Sequence, residues 1–178
     1  MAIIDNPLRL EIMKRLSEVI REVTPGNGYV LDLSGAEGTE DNRVFRGRAI
    51  FGEGDPLPMI SILESPIPLE QIPPPTGSGY NSGGWELMIQ GFVEDDKENP
   101  TDPAHVAMAD VKKRLALESQ KVNAMNDADG PLGLLRQITK IAIGTGVVRP
   151  PDEISAKAYF WLLIVLDIVE DVTDQYTV

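Results

Sequence analysis

The sequence predicts an α+β domain in which two main helices pack on a mainly antiparallel or mixed sheet of five or six strands. Three segments predict this fold. Residues 7–23 repeat apolar side chains at helical spacing, residues 85–93 alternate apolar and polar side chains, and residues 156–169 form an apolar run rich in β-branched and aromatic residues. Because 178 residues can bury a substantial core, residues 1–178 are predicted to form a single domain.

The first helix is predicted over residues 7–23, because its apolar side chains fall on one stripe. Asn6 is its predicted cap, and Pro7 begins it at the position where a missing N–H costs no hydrogen bond. Glu11 and Arg15 have the i,i+4 spacing of a helical ion pair. The stripe consists of Leu8, Ile12, Leu16, Val19, Ile20 and Val23.

A short strand is predicted over residues 29–33, followed by a loop. Residues 43–51 and 57–64 are then predicted to be strands, and the Gly- and Pro-containing turn between them makes a hairpin the simplest pairing. Arg46 and Arg48 would share one face of the first of these strands. One interpretation of the pair is solvated or ion-paired surface. The other is contact with an acidic partner, including a neighbouring copy of this acidic chain.

Residues 65–84 combine a proline triplet with a Gly- and Ser-rich end, which excludes a helix or a central strand. We therefore predict an extended arm that becomes flexible towards its end. Its apolar side chains favour docking on another subunit, and the alternative is a flexible insertion. The predicted interface residues, including the two arginines above, are Arg46, Arg48, Ile67, Leu69, Ile72 and Tyr80.

The second helix is predicted to follow strand 85–93 and an acidic turn. Asp102 is its predicted N-cap and Pro103 its first residue. On the strand, Phe92 interrupts the polar face, which indicates that this face is partly covered. The buried stripe of the helix would consist of Ala104, Met108, Val111, Leu115 and Val122.

The last third of the chain is predicted to begin with a polar connection over residues 123–133. Residues 134–143 fit either a short helix or a strand, and residues 144–146 form a turn. Residues 156–169 are predicted to be a central strand covered on both faces, with a buried helix as the competing interpretation. The tail over residues 170–178 is expected to fray.

The composition excludes several classes of function. A net charge of −12 opposes binding to nucleic-acid phosphates, although DNA could slide past such a surface. The absence of cysteine excludes disulfides and thiolate chemistry, and a single histidine excludes a multi-histidine metal site within one chain. No apolar run reaches the roughly 20 residues of a membrane helix, and no signal peptide is visible. We expect no membrane contact and a cytoplasmic site of synthesis or assembly.

No catalytic, cofactor-binding or metal-binding residue is assigned, and the chain is not expected to be an enzyme. The acidic residues at 94–102 lack the ligand spacing of a calcium loop. His105 fits a surface histidine, since no oriented partner or nucleophile is evident. The basic triplet at 112–114 is interpreted as a complement to the helix dipole. A pair of convergent carboxylates stays open as an alternative, because any two acids can meet in a fold.

Four stretches together carry a resemblance to a known family. They are the opening helix with Val-Thr-Pro-Gly-Asn-Gly-Tyr at 23–29, the segment 44–64, the segment 85–105 with its Gln-Gly-Phe-Val-Glu-Asp-Asp run, and the segment 148–162. In these stretches, which span most of the chain, the protein resembles the tail terminator (minor tail, tail completion) proteins of long-tailed, non-contractile bacteriophages. The shared motifs are structural rather than catalytic.

The resemblance implies a virion protein that forms a hexameric ring on the head-proximal end of the tail tube. Such a ring ends tube polymerisation and presents a surface to the neck, or head-completion, proteins. Its partners would be copies of itself, the tube protein and the neck protein, with DNA passing through an acidic lumen without specific binding. The arm over residues 65–84 is long for the family. The alternatives are another neck or tail-tube component, or a small acidic hydrolase or ligand-binding domain.

Overall fold

The computed structural model describes residues 3–52, 54–64, 79–126 and 129–178. It confirms the predicted α+β fold with two main helices and a six-stranded sheet. The elements, in chain order, are α1 (Leu8–Arg21), β1 (Val44–Arg46), β2 (Met59–Glu64), β3 (Tyr80–Val93), α2 (Asp102–Ser119), β4 (Ile138–Ile143), β5 (Val147–Arg149) and β6 (Ala158–Asp171).

The centre of the sheet is a ribbon formed by β3 and β6. These antiparallel strands pair over their whole length, from Tyr80 opposite Asp171 to Val93 opposite Ala158. The strand order is β1-β2-β3-β6-β4, and β5 pairs with β6 beyond the end of β4. The β1–β2 pair is parallel and the other pairs are antiparallel.

Both helices pack on one face of this sheet and form the main core with it. The stripe predicted on α1 is buried there, as are Val111 and Leu115 of α2. The sheet contributes one side-chain row from each central strand, because alternate residues of a strand point to the same face. The fully buried residues of these rows include Leu87, Ile89, Phe160, Leu162 and Ile164.

The predicted hairpin between residues 43–51 and 57–64 is wrong, since β1 and β2 run parallel. The chain leaves the sheet at Gly47, whose φ of +75° favours glycine and ends the strand. The Gly47 N–H still donates to the Ile62 carbonyl at 2.9 Å. Within the longer connection from β1 to β2, the Asp55 N–H donates to the Gly52 carbonyl at 3.1 Å.

The strand predicted over residues 29–33 is also absent from the described chain. The N–H groups of Val30 and Leu31 donate to Asp110 Oδ2 on α2, at 2.7 and 2.9 Å. Because a carboxylate takes the donors that a neighbouring strand would have used, this apolar segment attaches to a helix instead.

The predicted helix caps are each displaced. Helix α1 begins at Leu8, and the Asn6 side chain bridges Glu11 and Lys14 instead of capping a backbone N–H. Helix α2 is flanked by Thr101, so Asp102 lies inside its first turn. The prolines are displaced by one position as well, since Pro7 precedes α1 and Pro103 is the second residue of α2. Near a helix start, proline makes a side-chain cap less necessary, because one orphan N–H is already gone.

The C-terminal half resolves the open alternatives in favour of strands. Residues 138–143 form β4. The buried-helix interpretation of residues 156–169 is wrong, because this segment forms strand β6 from Ala158 onwards. Residues 144–146 do not reverse the chain, since β4 and β5 both pair with β6 and the Gly144 N–H donates to the Leu163 carbonyl. The tail is not frayed, because the Ile4 N–H donates to the Tyr176 carbonyl at 2.9 Å.

A Gly91→Ala substitution is expected to lower the free energy of unfolding by about 1–3 kcal/mol, the usual cost of overpacking a core. A Cβ at Gly91 would lie 2.1 Å from Phe160 Cε1 and 2.9 Å from Ile60 Cδ1. Both neighbours are fully buried and have no room to move. Urea denaturation measures the change. Gly26→Ala is the control, because its Cβ would meet nothing closer than Thr24 Oγ1 at 3.8 Å, and equal losses in both variants would contradict the argument.

Candidate assembly surface

The sheet face turned away from the helices, here called the open face, carries an uncovered apolar band. Register defines its rows, because directly paired residues point to the same side. One row runs Leu63, Met88, Leu163 and the next runs Glu86, Val165, Ala142. Leu163 is 44% exposed, and Val147, beside Trp161 on the same face, is 54% exposed. We call Leu63, Met88, Ala142, Val147, Leu163 and Val165 the apolar band.

The apolar band results from the pattern of β6, in which both faces are apolar. The helices cover the row of Phe160, Leu162 and Ile164, whereas no layer of the described residues covers the middle of the opposite row. The sequence prediction that β6 is covered on both faces is therefore wrong between Leu163 and Val165. Contiguous exposed apolar surface of this kind marks interaction sites in proteins that are otherwise well packed.

One end of the open face is covered by an aromatic cluster. Met59, Phe92 and Tyr159 are buried there beneath side chains of the loop that joins β1 to β2. The Phe92 ring lies 5.3 Å from the Phe51 ring and 6.0 Å from the Tyr159 ring, distances typical of tilted aromatic pairs. This confirms the prediction, made from Phe92, that the polar face of β3 is partly covered.

Two buried polar groups fix the aromatic end. The Tyr159 hydroxyl donates to Asp152 Oδ2 at 2.8 Å. Burial and this hydrogen bond raise the pKa of Tyr159, while the same hydrogen bond and the Ile154 N–H lower the pKa of Asp152. In the amide orientation that satisfies both neighbours, the Gln90 side chain bridges the strands to the loop, accepting from Trp161 Nε1 at 3.1 Å and donating to the Ala49 carbonyl at 3.3 Å. The loop is thereby held over the sheet.

The other end of the open face is acidic. Asp167 and Asp171 of β6 lie on the open face beyond the apolar band, in line with Glu86 of β3. Lys140 of β4 lies opposite Asp167 in the strand register and adds one cation. Arg149 instead lies at the aromatic end, paired with Tyr159. The open face therefore has an acidic end and an aromatic end separated by apolar surface.

Arg46 and Arg48 do not share a face, contrary to the sequence prediction. Arg46 Nη1 donates to Ser17 Oγ of α1 at 3.1 Å, and its other nitrogen pairs with Glu37, so Arg46 lies on the helix side. Arg48 lies 4.7 Å over the Phe45 ring and pairs with Asp55 at 2.6 Å, so it belongs to the rim of the aromatic end. The chain leaves the strand at Gly47, whose φ is positive. The side chains of Arg46 and Arg48 therefore do not follow the strand alternation on which the prediction depended.

Tyr80 is part of β3 and not of the arm. It is 62% exposed and lies opposite Asp171 at the acidic end of the open face. The sequence prediction that no part of residues 65–84 is a central strand is wrong for residues 80–84, which pair with β6. The other predicted arm contacts, Ile67, Leu69 and Ile72, lie outside the described residues, and their role stays a prediction.

The groups tested for chemistry have local partners or lie exposed. Lys112 and Lys113 donate to the carbonyls of Thr145 and Gly28, and Arg114 is buried against carboxylates. None of the three residues lies in the last turn of α2, where the helix dipole acts, so the dipole interpretation of this triplet is wrong. His105 is exposed on the first turn of α2. Within residues 3–52, 54–64, 79–126 and 129–178, no group of three or more His, Asp or Glu side chains could hold a metal ion.

In the acidic turn, Asp96 Oδ1 accepts the N–H groups of Glu98 and Asn99 at 2.8 Å. These hydrogen bonds lower the pKa of Asp96. Glu94 pairs with Lys157 at the start of β6. The turn therefore uses its carboxylates to shape its own backbone and to attach it to the sheet.

Sequence reasoning missed the apolar band, although a signal was present. Met88 was assigned to the polar face of β3 and the row containing Leu163 and Val165 to a covered face. The signal is that both faces of β6 are apolar, but which residues of β3 lie beside Leu163 and Val165 depends on a register that the sequence does not specify.

None of the helices in the described part of the chain is long and apolar enough to cross a membrane. A scan against protein-family models and a search of curated proteins found no match to this chain.

Proposed function

We propose that this chain is a structural virion protein, a tail terminator that forms a hexameric ring on the head-proximal end of a non-contractile phage tail tube. The apolar band on the open face is the observation that carries the proposal. The sequence resemblance in four stretches supports it and supplies the place in the virion. In this proposal the protein acts by fitting copies of itself and the tube, and it makes or breaks no bonds.

The unlike ends of the open face support a ring rather than a closed pair. A ring needs a heterologous contact, in which one patch meets a different patch on the next copy. The acidic end carries Asp167 and Asp171, and the aromatic end carries Arg48 beside Asp55 and Arg149 beside Asp152. Head-to-tail packing would bring opposite charges together around the apolar band.

The surplus of carboxylates suits a passage for DNA. The chain has 28 acidic and 16 basic residues. Several of the basic residues are bound inside the chain, as in the pairs of Arg9 with Glu170 and Arg21 with Glu18. The free carboxylates would repel phosphates over about 8–10 Å, the Debye length near physiological salt, so DNA would pass without sticking. A basic channel wall would contradict this part of the proposal.

The function is tested by adding the purified chain to elongating tail-tube subunits. We expect a tube to stop growing once one assembly of this chain is bound at one of its ends, since a terminator occupies only the growing end. Another tail-tube component would instead distribute along the tube, and another neck component would leave elongation unchanged. Tube lengths by negative-stain microscopy separate the three outcomes.

A further inference from the structure

A second surface with binding features lies on the helix side, where β3 ends and α2 begins. It is a groove with a volume of about 320 Å3. That volume is at the lower end of the range for ligand pockets and suits one large side chain. Val30 and Val106 on its wall are 73% and 39% exposed. The apolar lining residues are Val30, Leu31, Leu57, Pro58, Val93 and Val106.

This apolar groove continues into a polar one of about 600 Å3, and we call the two together the trough. Leu57 and Pro58 line both halves, so the halves meet at these residues. The polar half carries the carboxylates of Asp32 and Asp41, with Arg43 as a cation beside them. The trough therefore offers apolar surface at one end and an excess of acid at the other.

Charge and hydrogen bonding restrict what the trough can bind. The rim of the apolar half adds Glu94, and the neighbouring turn adds Asp95, with Lys157 paired to both. The N–H groups of Val30 and Leu31 are already bound to Asp110, so they offer no donors to an added strand. A bound segment must therefore be recognised through its own side chains. One apolar side chain would match the apolar half of the trough, and basic neighbours would match its carboxylates.

We propose that the trough binds a segment of a different protein in which one aromatic or large aliphatic side chain is followed by Lys or Arg. The apolar side chain fills the space between Val30, Leu57 and Val106, and the basic residues lie over Asp32 and Asp41. A second copy is a poorer occupant, because its net charge of −12 repels an acidic trough. The trough shares no residue with the apolar band and only Leu57 with the aromatic cluster, so this inference and the ring proposal can fail separately.

The experiment uses three short acetylated peptides: one with Trp followed by two Lys, one with Trp followed by two Glu, and one with Ser followed by two Lys. Binding is followed by the amide NMR shifts of the 15N-labelled full chain. We expect the Trp-Lys-Lys peptide to saturate shifts at Val30, Leu31 and Val106. Replacing Lys by Glu should weaken binding by about tenfold, equivalent to about 1.4 kcal/mol, and high salt should remove most of that difference.

Two variants on the same helix complete the test. Val106→Lys places a cation at the trough and should weaken binding of the Trp-Lys-Lys peptide by about tenfold or more. Leu117→Lys is the matched control, because Leu117 is 47% exposed on α2 and does not line the trough, and it should bind like the unmodified chain. Amide shift dispersion verifies that both variants fold.

Any of four binding results would overturn the inference, and one result without peptide would do so as well. They are no saturable binding, equal binding of the Lys and Glu peptides, no loss in Val106→Lys, and loss of equal size in Leu117→Lys. Shifts at the trough that grow with protein concentration in the absence of peptide would assign it to a second copy, which also contradicts the proposal.

Discussion

Glu118→Ala is expected to lower the free energy of unfolding by about 3 kcal/mol. The Glu118 side chain is 1% exposed and ties three parts of the chain together. It accepts from Arg114 Nη2 and Lys121 Nζ, both at 2.9 Å, and from the Leu132 N–H at 2.7 Å. Removing one partner of a buried pair costs about 3–5 kcal/mol. The lower figure applies because Arg114 keeps Glu22 at 2.8 Å.

Urea denaturation measures this loss, with Glu22→Ala as the control. Glu22 contacts the same arginine, but its side chain is 57% exposed, so its removal should cost no more than about 1 kcal/mol. A larger loss in Glu22→Ala than in Glu118→Ala would show that burial does not determine the strength of this network.

The same residue gives a pH dependence with a defined sign. Burial acts to raise the pKa of Glu118, but hydrogen bonds from Lys121 and the Leu132 N–H outweigh it, and the pKa lies below its ordinary value. The stabilisation is therefore complete above the unfolded pKa of about 4.3 and is lost as the pH falls towards the lower folded pKa. Between about pH 5 and about pH 3, the unmodified chain should therefore lose more stability than Glu118→Gln does. Parallel pH profiles would contradict this.

Leu163→Lys is expected to abolish ring assembly while leaving the fold intact. Leu163 lies at the centre of the apolar band and is 44% exposed, so the free energy of unfolding should change by no more than about 0.5 kcal/mol. Full burial of a leucine is worth about 1.5–3 kcal/mol, so covering the exposed part of Leu163 contributes about 1 kcal/mol, which corresponds to a roughly fivefold weaker contact between copies. A buried lysine without a partner would weaken it further.

Tube-capping and sedimentation assays measure the effect of Leu163→Lys. Leu10→Lys is the matched control, because Leu10 is 41% exposed on α1, away from the open face. We expect Leu10→Lys to cap tubes normally. Normal capping by Leu163→Lys would exclude the apolar band as the contact between copies, even if the ring itself forms.

The fold could be predicted where side-chain periodicity determined it. Three patterns are long enough for local sequence preference and tertiary packing to agree. They are the apolar stripe of α1, the alternation of β3 and the apolar run of β6. Short segments were mispredicted because contacts distant in sequence decided them. Residues 29–33 attach to Asp110 of α2. At the end of β1, Gly47 adopts a left-handed backbone conformation, and the chain continues as a crossover connection to the parallel strand β2.

The candidate surface could be predicted only in part. Arg48 and Tyr80 do lie on or beside the open face, whereas Arg46 lies on the helix side. The apolar band could not be found from any single strand, because it takes Leu63, Met88 and Leu163 from three strands whose register the sequence does not specify. The trough likewise joins segments that are distant in the chain.

Imaging capped tail tubes by electron cryomicroscopy tests the central claim most directly. The account expects six copies of this chain at the head-proximal end, with Leu163 and Met88 buried between adjacent copies. A single copy, a distribution along the tube, or a ring whose open faces all point to solvent would contradict it.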